Sequence, residues 1–400
     1  MTDDTATRPR ALIIGCGIAG PVLAVALQQA GIIPVIHEAR PRPDDEAGAF
    51  LNLAPNGIEA LRLLGLDGTV VDAGTRTTRI EFYNHRGRRL ATDPTTTLLL
   101  KRGALTRALR EAAAERGVAV ESGKRLAEVT TTAQGTVAAR FADGTRTEGD
   151  LLVGCDGIRS AVRGGVLPGA PAPRSTGLVD SGGFSECPGL APSGGVFRMT
   201  FGRRAFFGYQ VLESGEVYWF HNSEPPAGAA AGELTSWDDN RWKDRLLELH
   251  QGDHEPIEEI IRSTRGPIGR WPVLDMPDLA TWHDGPVGLI GDAAHAMSPS
   301  AGQGASMAME DAVVLARLLR DHADADTAFA ELERGRKPRV DATVRRARRN
   351  GDQKAPSSAA GRALRDLALP VFLRAGIRAG ATLHSWTDDP NPSTAANLDR

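Results

Sequence analysis

The chain has 400 residues, 41% of them apolar and 24% charged, which is enough to bury a full hydrophobic core and leads us to expect two intertwined domains. A formal net charge of -3 gives no reason to expect nucleic acid or an anionic membrane as a partner, and no stretch approaches the roughly 20 apolar residues of a membrane span. The three cysteines lack metal-ligand spacing, and the polar residues 1–10 do not resemble a signal peptide, so we expect a cytoplasmic protein.

The first motif is a glycine-rich turn between a strand and a helix. A short apolar run predicts a buried strand, which leads directly into GCGIAG at residues 15–20. Gly15 permits a tight turn, Gly17 lets a pyrophosphate approach the backbone, and Gly20 lets the helix pack on the strand. The next apolar strand ends on Glu38, an acid suited to a ribose. This arrangement predicts a dinucleotide site, and a glycine-rich turn without a ligand is the alternative.

Several positions after this motif could border the same ligand. Arg40 could flank an adenosine, although a solvated arginine explains it equally well. Gly48 and Ala49 are small enough for a flat ring to pass. Arg102, which precedes an amphipathic helix, could reach a phosphate or a ribityl hydroxyl, or could simply be solvated.

The second motif follows another buried strand. Residues 151–153 are apolar and end in GCDGIRSAVR, which contains Asp156 and Gly157. Arg159 and Arg163 are four positions apart, a spacing that predicts the same side of a following helix. A structural Asp-Gly turn with two exposed arginines is the alternative.

The third motif occupies residues 287–319. Its apolar strand ends just before Asp292, a carboxylate well placed for the hydroxyls of a sugar alcohol. Pro299 and the sequence Gly-Gln-Gly at 302–304 form a loop that exposes backbone, and a helix follows over residues 306–319. The amides at the start of that helix suit an anion or a ring carbonyl that becomes anionic. An ordinary strand-loop-helix crossover is the alternative.

Two regions outside these motifs predict antiparallel sheet, one between the first and second motifs and one between the second and third. Residues 80–92 predict an antiparallel hairpin that does not belong to a parallel nucleotide-binding sheet. Residues 196–201, 206–212 and 217–221 predict further strands, rich in Phe and Tyr, that cover a ligand with one face. An aromatic residue in a sheet is by default core. The polar candidates for a ligand are Arg198, Arg203, Arg204, Tyr209, Tyr218 and His221.

The remaining candidate segments are better explained by structural roles than by metal or nucleic-acid binding. His250 and His254 are four apart, but Gly252 interrupts them and no third ligand is evident, so no metal site is predicted. Residues 327–350 predict an arginine-rich helix that lacks interleaved aromatic residues, which favours a solvated helix face over nucleic-acid binding. Residues 362–384 predict a closing helix pair.

With three motifs in this order, the chain resembles the group A FAD-dependent monooxygenases, the para-hydroxybenzoate hydroxylase-like aromatic hydroxylases. The resemblance rests on residues 15–20 with Glu38, on residues 155–160, and on residues 291–295 continued through residues 299–304. It implies an α/β fold in which a Rossmann-type FAD-binding domain with a parallel sheet is interleaved with an antiparallel-sheet substrate domain and followed by C-terminal helices. The expected segments are 1–75, 98–170 and 281–330 for the FAD-binding domain, 76–97 and 171–280 for the substrate domain, and 331–400 for the C-terminal helices.

The resemblance also implies roles. Glu38 would bind the adenosine ribose, Arg102 the FAD phosphate region, Leu126 the adenine through its backbone, and Asp292 the ribityl chain. Asp156 and Gly157 would serve both FAD and NAD(P)H. The cofactor-binding residues expected on this basis are Gly15, Gly17, Ala19, Gly20, Glu38, Arg40, Gly48, Ala49, Arg102, Leu126, Asp156, Gly157, Asp292, Pro299, Gly302, Gln303, Gly304 and Ala305.

As the family implies, NADPH or NADH would reduce FAD, and O2 would form a C4a-hydroperoxyflavin that passes one oxygen atom to an electron-rich aromatic or enolic molecule. Arg204 and Tyr218 are the candidates for orienting that small aromatic or polycyclic substrate. We expect a monomer or weak homodimer. Two alternatives remain, a non-catalytic FAD-binding protein and a flavin-dependent halogenase, although the Trp-x-Trp-x-Ile-Pro motif of the halogenases is absent from the sequence.

Overall fold

A computed structural model describes residues 8–46, 48–132, 135–226 and 233–352, together with residues 361, 364, 366–368 and 370. Within these residues the strands are β1 (Arg10–Ile14), β2 (Ile33–Glu38), β3 (Phe50–Leu53), β4 (Thr75–Asn84), β5 (Arg89–Lys101), β6 (Ala119–Ser122), β7 (Leu126–Thr131), β8 (Val137–Phe141), β9 (Arg146–Gly149), β10 (Leu151–Gly154), β11 (Arg174–Glu186), β12 (Val196–Phe201), β13 (Phe206–Val211), β14 (Glu216–Ser223), β15 (Gly269–Asp275), β16 (His283–Asp284) and β17 (Val287–Leu289). The α-helices are α1 (Ala19–Gln29), α2 (Pro55–Leu63), α3 (Asp67–Asp72), α4 (Arg102–Glu115), α5 (Ala161–Val166), α6 (Asp239–His250), α7 (Ile257–Arg262), α8 (Asp292–His295), α9 (Gly304–Asp321) and α10 (Ala325–Asp352).

The nucleotide-binding part is built on a largely parallel sheet. Its described strands have the order β16-β17-β10-β1-β2-β6, and β1 pairs in parallel with both β2 and β10. The central strands β1, β10 and β17 are largely apolar because both faces of the sheet are covered, one by α1, α4 and α9 and the other by β8, α10 and residues near Trp282. This arrangement confirms the predicted Rossmann-type parallel sheet and brings the ends of β1, β10 and β17 to one edge.

The second sheet is mainly antiparallel and has the described order β15-β11-β14-β13-β12-β4-β5-β3. Side chains alternate along its strands and define two faces. On the outer face, Phe207, Tyr209 and Trp219 pack against α6 and α7. On the inner face, Phe197 and Tyr218 pack with Phe50, Ile80 and other aromatic residues. The predicted hairpin is confirmed as β4 and β5, which are longer than expected because they extend beyond residues 80–92 at both ends.

Three element predictions were wrong in detail. The sequence predicts one strand over residues 118–129, but Gly123 adopts a φ of 77° and separates β6 from β7, which belong to different sheets. The sequence predicts continuous helix over residues 237–262, but the segment forms two helices, α6 and α7. The thirteen-residue strand β11 was missed because Gly177, Gly182 and Gly183 interrupt its apolar pattern.

Two further predictions concern the helix pair near the end of the sequence and membrane-spanning segments. Most of the predicted helix pair at residues 362–384 lies outside the described residues. No helix in the described part of the chain has the combination of length and apolar character that crossing a membrane requires.

Candidate active site

The glycine turn after β1 is packed tightly against backbone at two of its three glycines and is open at the third. A Cβ atom on Gly15, whose φ is 107°, would lie 2.6 Å from the carbonyl oxygen of Cys155, and one on Gly20 would lie 2.0 Å from that of Gly15. At Gly17 such an atom would meet nothing within 4 Å. Two glycines are therefore required by the protein's own backbone, while the third, just before Ala19 begins α1, faces open space as a pyrophosphate would need.

Glu38 is held beside this turn by its own carboxylate. Its Oε2 atom accepts a hydrogen bond from the Cys16 N–H at 2.8 Å, and its Oε1 atom accepts one from the Arg40 N–H at 2.8 Å. Burial, with a smaller contribution from Glu38, raises the pKa of the Cys16 thiol to about 11, so this thiol stays neutral. The Arg40 side chain is exposed.

The segment just before β7 contacts the backbone around Glu38 and Arg40. The Lys124 N–H donates to the Glu38 carbonyl oxygen at 2.8 Å, and the Gly123 N–H donates to the Arg40 carbonyl oxygen at 3.1 Å. Leu126, two residues further on, begins β7 and pairs with Phe141. Leu126 is therefore close in sequence to the contacts with the Glu38 segment, and adenine binding by its backbone stays a prediction.

The second motif is built around a capping carboxylate. Asp156 Oδ2 accepts hydrogen bonds from the N–H groups of Ala161 and Val162 at 2.7 and 3.1 Å, which fixes the start of α5. Its Oδ1 atom is buried and has no hydrogen-bond partner in the described part of the chain. Gly157 adopts a φ of 78°, and a Cβ there would meet nothing within 4 Å. The turn therefore offers one free oxygen and bare backbone.

The arginines of this motif do not share a helix face, and that prediction was wrong. Arg159 precedes α5 and is exposed, whereas Arg163 is only 5% exposed. The Arg163 guanidinium donates to the carbonyl oxygens of Ala293 at 2.7 Å and Ile158 at 2.6 Å. Arg163 thus ties the second motif to the third.

The third motif brings Asp292 to the start of α9. Asp292 begins the short helix α8, and its Oδ1 atom lies 3.8 Å from the position of a Cβ built on Gly304. Gly302 adopts a left-handed conformation with a φ of 63°, and it follows the 3-10 turn that begins at Pro299. No hydrogen bond to the Asp292 carboxylate is found among the described residues. The loop exposes the backbone around Gly304 and Ala305 beside a free carboxylate.

A strap formed by Gly48 and Ala49 joins this region to the second sheet. The Arg102 N–H donates to the Ala49 carbonyl oxygen at 3.0 Å, and a Cβ on Gly48, at a φ of 80°, would lie 3.1 Å from Arg102 Cδ. A Cβ on Gly182 of β11 would lie 3.4 Å from the Ala49 Cβ. Gly182 pairs with Phe220, so the strap rests against the inner face of the antiparallel sheet.

These features fit FAD. The glycine turn, which is tightly packed except at Gly17, suits the pyrophosphate of FAD. Glu38 and Asp292 can accept hydrogen bonds from ribose and ribityl hydroxyls. The start of α9 has backbone N–H groups that suit the flavin ring. The unpaired oxygen of Asp156 provides one further acceptor at the same edge of the sheet.

The two candidates for orienting the substrate, Tyr218 and Arg204, lie on opposite sides of the antiparallel sheet. Tyr218 lies on the inner face, with ring centroids 4.8 Å from Phe184 and 5.5 Å from Phe50. Burial, followed by the neighbouring Glu216, raises the pKa of Tyr218, so its phenol keeps its proton. The exposed Arg204 donates to the carbonyl oxygens of Leu249 at 3.2 Å and Gln251 at 3.1 Å, at the end of α6 on the outer side. A substrate-orienting role for Arg204 stays a prediction.

The other polar candidates lie behind the sheet. Arg198 Nη1 donates to the Tyr209 hydroxyl at 3.3 Å on the outer face. His221 Nδ1 is 2.8 Å from His250 Nε2, and both rings are fully buried. His250 Nδ1 lies 2.9 Å from Asp253 Oδ2. His254 instead contacts Thr200 Oγ1 at 2.9 Å, so His250 and His254 have different partners.

Sequence reasoning missed a buried group of charged residues under the third motif, and the expectation of a solvated arginine helix was wrong for part of α10. Arg336 is 8% exposed and Arg339 pairs with the buried Glu310, whereas Arg334 and Arg345 are exposed. The available signal was the pair Glu310-Asp311 on a helix whose other buried positions are largely apolar.

Comparison with known proteins agrees with this geometry. The model of a family described as "FAD binding domain" matches residues 8–180 and 233–347. The chain is 33% identical to an aurachin C monooxygenase/isomerase from Stigmatella aurantiaca over 80% of this chain and 83% of that protein. It is 30% identical to an FAD-dependent urate hydroxylase from Klebsiella pneumoniae over 86% of this chain and 90% of that protein.

A solved structure shows the same fold with a ligand. The crystal structure of Klebsiella pneumoniae HpxO complexed with FAD and uric acid superposes with a TM-score of 0.82 at 27% identity, covering 94% of this chain and 96% of that one. The names of these relatives are those of monooxygenases and hydroxylases and give no support to the halogenase alternative. The chain belongs to the FAD-binding family of flavoprotein monooxygenases, the group A aromatic hydroxylases.

Proposed function

We propose that this monooxygenase inserts one oxygen atom from O2 into a small, electron-rich aromatic or enolic molecule that binds against the inner face of the antiparallel sheet. The observation that carries the proposal is the strap of Gly48 and Ala49, which touches both Arg102 of the nucleotide-binding part and Gly182 of that inner face. The inner face therefore borders the cofactor site, and the outer face does not.

The residues that would hold FAD are those at the three strand ends. The turn around Gly17 would take the pyrophosphate, Glu38 the ribose, Asp292 the ribityl chain, and the N–H groups around Gly304 the pyrimidine edge of the ring. FAD supplies electron transfer from NADH or NADPH and the activation of O2. The start of α9 favours negative charge at the pyrimidine edge because its N–H groups have no partners within the helix.

The residues of the inner face would bind the substrate and exclude water. Tyr218 holds its proton, and its hydroxyl, which lies near Glu216, would turn from that carboxylate to donate a hydrogen bond to an oxygen or ring nitrogen of the substrate. Phe50 and Phe184 flank the Tyr218 ring and provide apolar walls. A dry cavity protects reactive oxygen species from decay in water. The two named relatives, one a urate hydroxylase and one an aurachin C monooxygenase/isomerase, are consistent with a cyclic conjugated substrate.

The test is a screen of small aromatic and heterocyclic compounds for those that accelerate flavin reduction. The FAD-loaded protein is mixed anaerobically with NADH or NADPH, and bleaching of the flavin absorbance is followed with each compound. Active compounds are then incubated aerobically, and their products are examined for the mass of one added oxygen. FAD binding without reduction by either nicotinamide would overturn the proposal and would favour the non-catalytic alternative.

A further inference from the structure

A buried, hydrogen-bonded network lies beneath the third motif and connects it to α2 and α10. Asn56 and Asp311 are fully buried, Glu310 is 1% exposed, and Gln303 is 2% exposed. Of these four residues, only Gln303 belongs to the expected cofactor-binding set, through the exposed backbone of its loop. Most polar atoms of this network pair with one another, and these pairs constrain its geometry, although Asn56 Oδ1 and Gln303 Nε2 are buried without a hydrogen-bond partner among the described residues.

One half of the network is centred on Asp311. Its Oδ2 atom accepts hydrogen bonds from the Gly291 N–H at 3.1 Å and from His295 Nε2 at 2.6 Å, and its Oδ1 atom accepts one from Arg336 Nε at 2.8 Å. Burial alone would raise the pKa of Asp311, but His295 and Arg336 outweigh it and hold the pKa well below its ordinary value. Asp311 is therefore ionised and fixes both ends of the segment that contains Asp292.

The other half is centred on Glu310 and Asn56. Asn56 Nδ2 donates to Gln303 Oε1 at 2.9 Å and to Glu310 Oε1 at 2.6 Å, which uses both of its N–H bonds. Arg339 donates to both oxygens of Glu310 at 2.8 and 3.0 Å, and Arg336 Nη2 lies 2.6 Å from Glu310 Oε2. Two carboxylates and two guanidinium groups make this network electrically balanced.

The start of α2 has little freedom to move relative to α9. The Ala54 N–H donates to Ser306 Oγ at 3.3 Å, and a Cβ on Gly57 would lie 2.5 Å from the same oxygen atom. Asn56 is thus pressed against the first turn of α9. Its bond to Gln303 directs the Gln303 side chain into the protein and leaves the backbone of Gly302 and Gly304 for the ring.

We propose that Asn56 and Gln303 are positioning residues for FAD: their hydrogen bond, anchored through Glu310 to Arg336 and Arg339 of α10, sets the loop of residues 302–304 in the geometry that binds the ring. The affinity for FAD and the electronic environment of the bound flavin then depend on side chains that do not themselves contact it. The proposal needs only FAD binding and is independent of the substrate assigned above.

The test compares two variants of the network with a control on α10, the helix that anchors the network. Gln303→Met keeps the side-chain length and volume but removes the acceptor, and Asn56→Ala removes the donor. Arg348→Gln is the control, because Arg348 of α10 also pairs with a buried acid, Asp275, but makes no hydrogen bond to residues 302–304 in the described part of the chain. For each protein, the dissociation constant of FAD, the visible absorption bands of the bound flavin and the melting temperature of the apoprotein are measured.

We expect Gln303→Met and Asn56→Ala each to raise the dissociation constant for FAD about tenfold and to shift the flavin absorption bands, since one hydrogen bond that orients the loop is lost. Arg348→Gln should lower the melting temperature and leave both flavin properties unchanged. If Asn56→Ala does not fold, Gln303→Met decides the test alone. A Gln303→Met protein with wild-type FAD affinity and wild-type flavin spectrum would overturn the proposal and reduce the network to a structural role.

Discussion

The two ligand-facing regions of this protein are specified in different ways. The cofactor region uses backbone at the ends of β1, β10 and β17, with few side chains that have free polar atoms. The substrate region uses side chains on one face of an antiparallel sheet, where each strand contributes alternate residues to opposite sides. A backbone site tolerates almost no change at its glycines, whereas a sheet face can be altered residue by residue. We infer that the cofactor-binding region tolerates few sequence changes, whereas changes in the proposed substrate-binding region can alter which substrate binds.

The largest effect is expected where backbone meets backbone. Gly20→Ala would place a methyl group 2.0 Å from the Gly15 carbonyl oxygen. We expect the free energy of unfolding of the apoprotein to fall by roughly 3 kcal/mol, because neither backbone segment can move away cheaply. Urea denaturation of the apoprotein measures this change.

Gly17→Ala is the matched variant, because a Cβ there meets no protein atom within 4 Å. The apoprotein should keep its stability, while the affinity for FAD should fall roughly 100-fold as the methyl group obstructs the pyrophosphate. If both variants lost stability equally and kept FAD equally well, the glycines would serve the fold alone, and the distinction between the two regions would weaken.

The next effect concerns the two faces of the substrate sheet. Tyr218→Phe removes a hydroxyl from the inner face, and we expect kcat/KM for the substrate to fall about tenfold through the loss of one hydrogen bond, with FAD binding unchanged. Steady-state kinetics with a substrate from the screen provide the measurement.

Tyr209→Phe removes the same group from the outer face, where the hydroxyl accepts from Arg198. This variant should lose about 1 kcal/mol of stability and keep kcat/KM, since its hydroxyl is sealed behind the sheet. Equal kinetic losses in the two variants would show that the assignment of the faces is wrong.

A smaller effect is expected from acid. Burial, followed by His250 and Arg245, lowers the pKa of His221 well below its ordinary value. The unfolded chain therefore binds this proton first, so the stability is intact above the unfolded pKa of about 6.5 and falls as the pH drops below it. Between about pH 7.5 and about pH 5.5, His221 should lower the free energy of unfolding by on the order of 1 kcal/mol.

His221→Gln is the control for this titration, since glutamine keeps a polar group beside His250 and cannot take up the proton. Its stability should depend less steeply on pH over the same range in urea titrations. Some dependence should persist, because burial also lowers the pKa of His37. An unchanged slope would mean that His221 does not titrate on unfolding as described.

The smallest effect is expected at Arg204. Its guanidinium donates to the last carbonyl groups of α6, so Arg204→Gln should cost about 0.5 kcal/mol of stability and change kcat/KM by less than about twofold. Thermal unfolding and steady-state kinetics test both expectations. A tenfold loss of kcat/KM at unchanged stability would support the predicted role of Arg204 in orienting the substrate.

What the sequence could predict follows the same division. The turn at Gly15, the cap at Asp156 and the loop at Gly302 are visible because positive φ angles and close backbone contacts leave few residue types allowed. The facing of Tyr209 and Tyr218 could not be read, since both strands are buried on both sides and lack the alternation that marks an exposed face.

Long-range pairing was also hidden from the sequence. Arg336 belongs to a helix that is rich in arginine, and the acids Glu310 and Asp311, brought close by the fold, pair with it in the protein interior. Likewise, the side chain of Arg163 reaches a carbonyl group 130 positions away. Such partners are set by tertiary packing and leave no local pattern.

The parallel pairing of β4 with β12 has a practical consequence for engineering. Ile80 lies beside Phe197 in this pair, although the two strands come from opposite sides of a nucleotide-binding segment. No single cut can therefore release the substrate sheet as a self-contained piece. A chimera that borrows only residues 171–280 from a relative would inherit a seam of mismatched side chains along β4, so a specificity transplant has to carry both segments together.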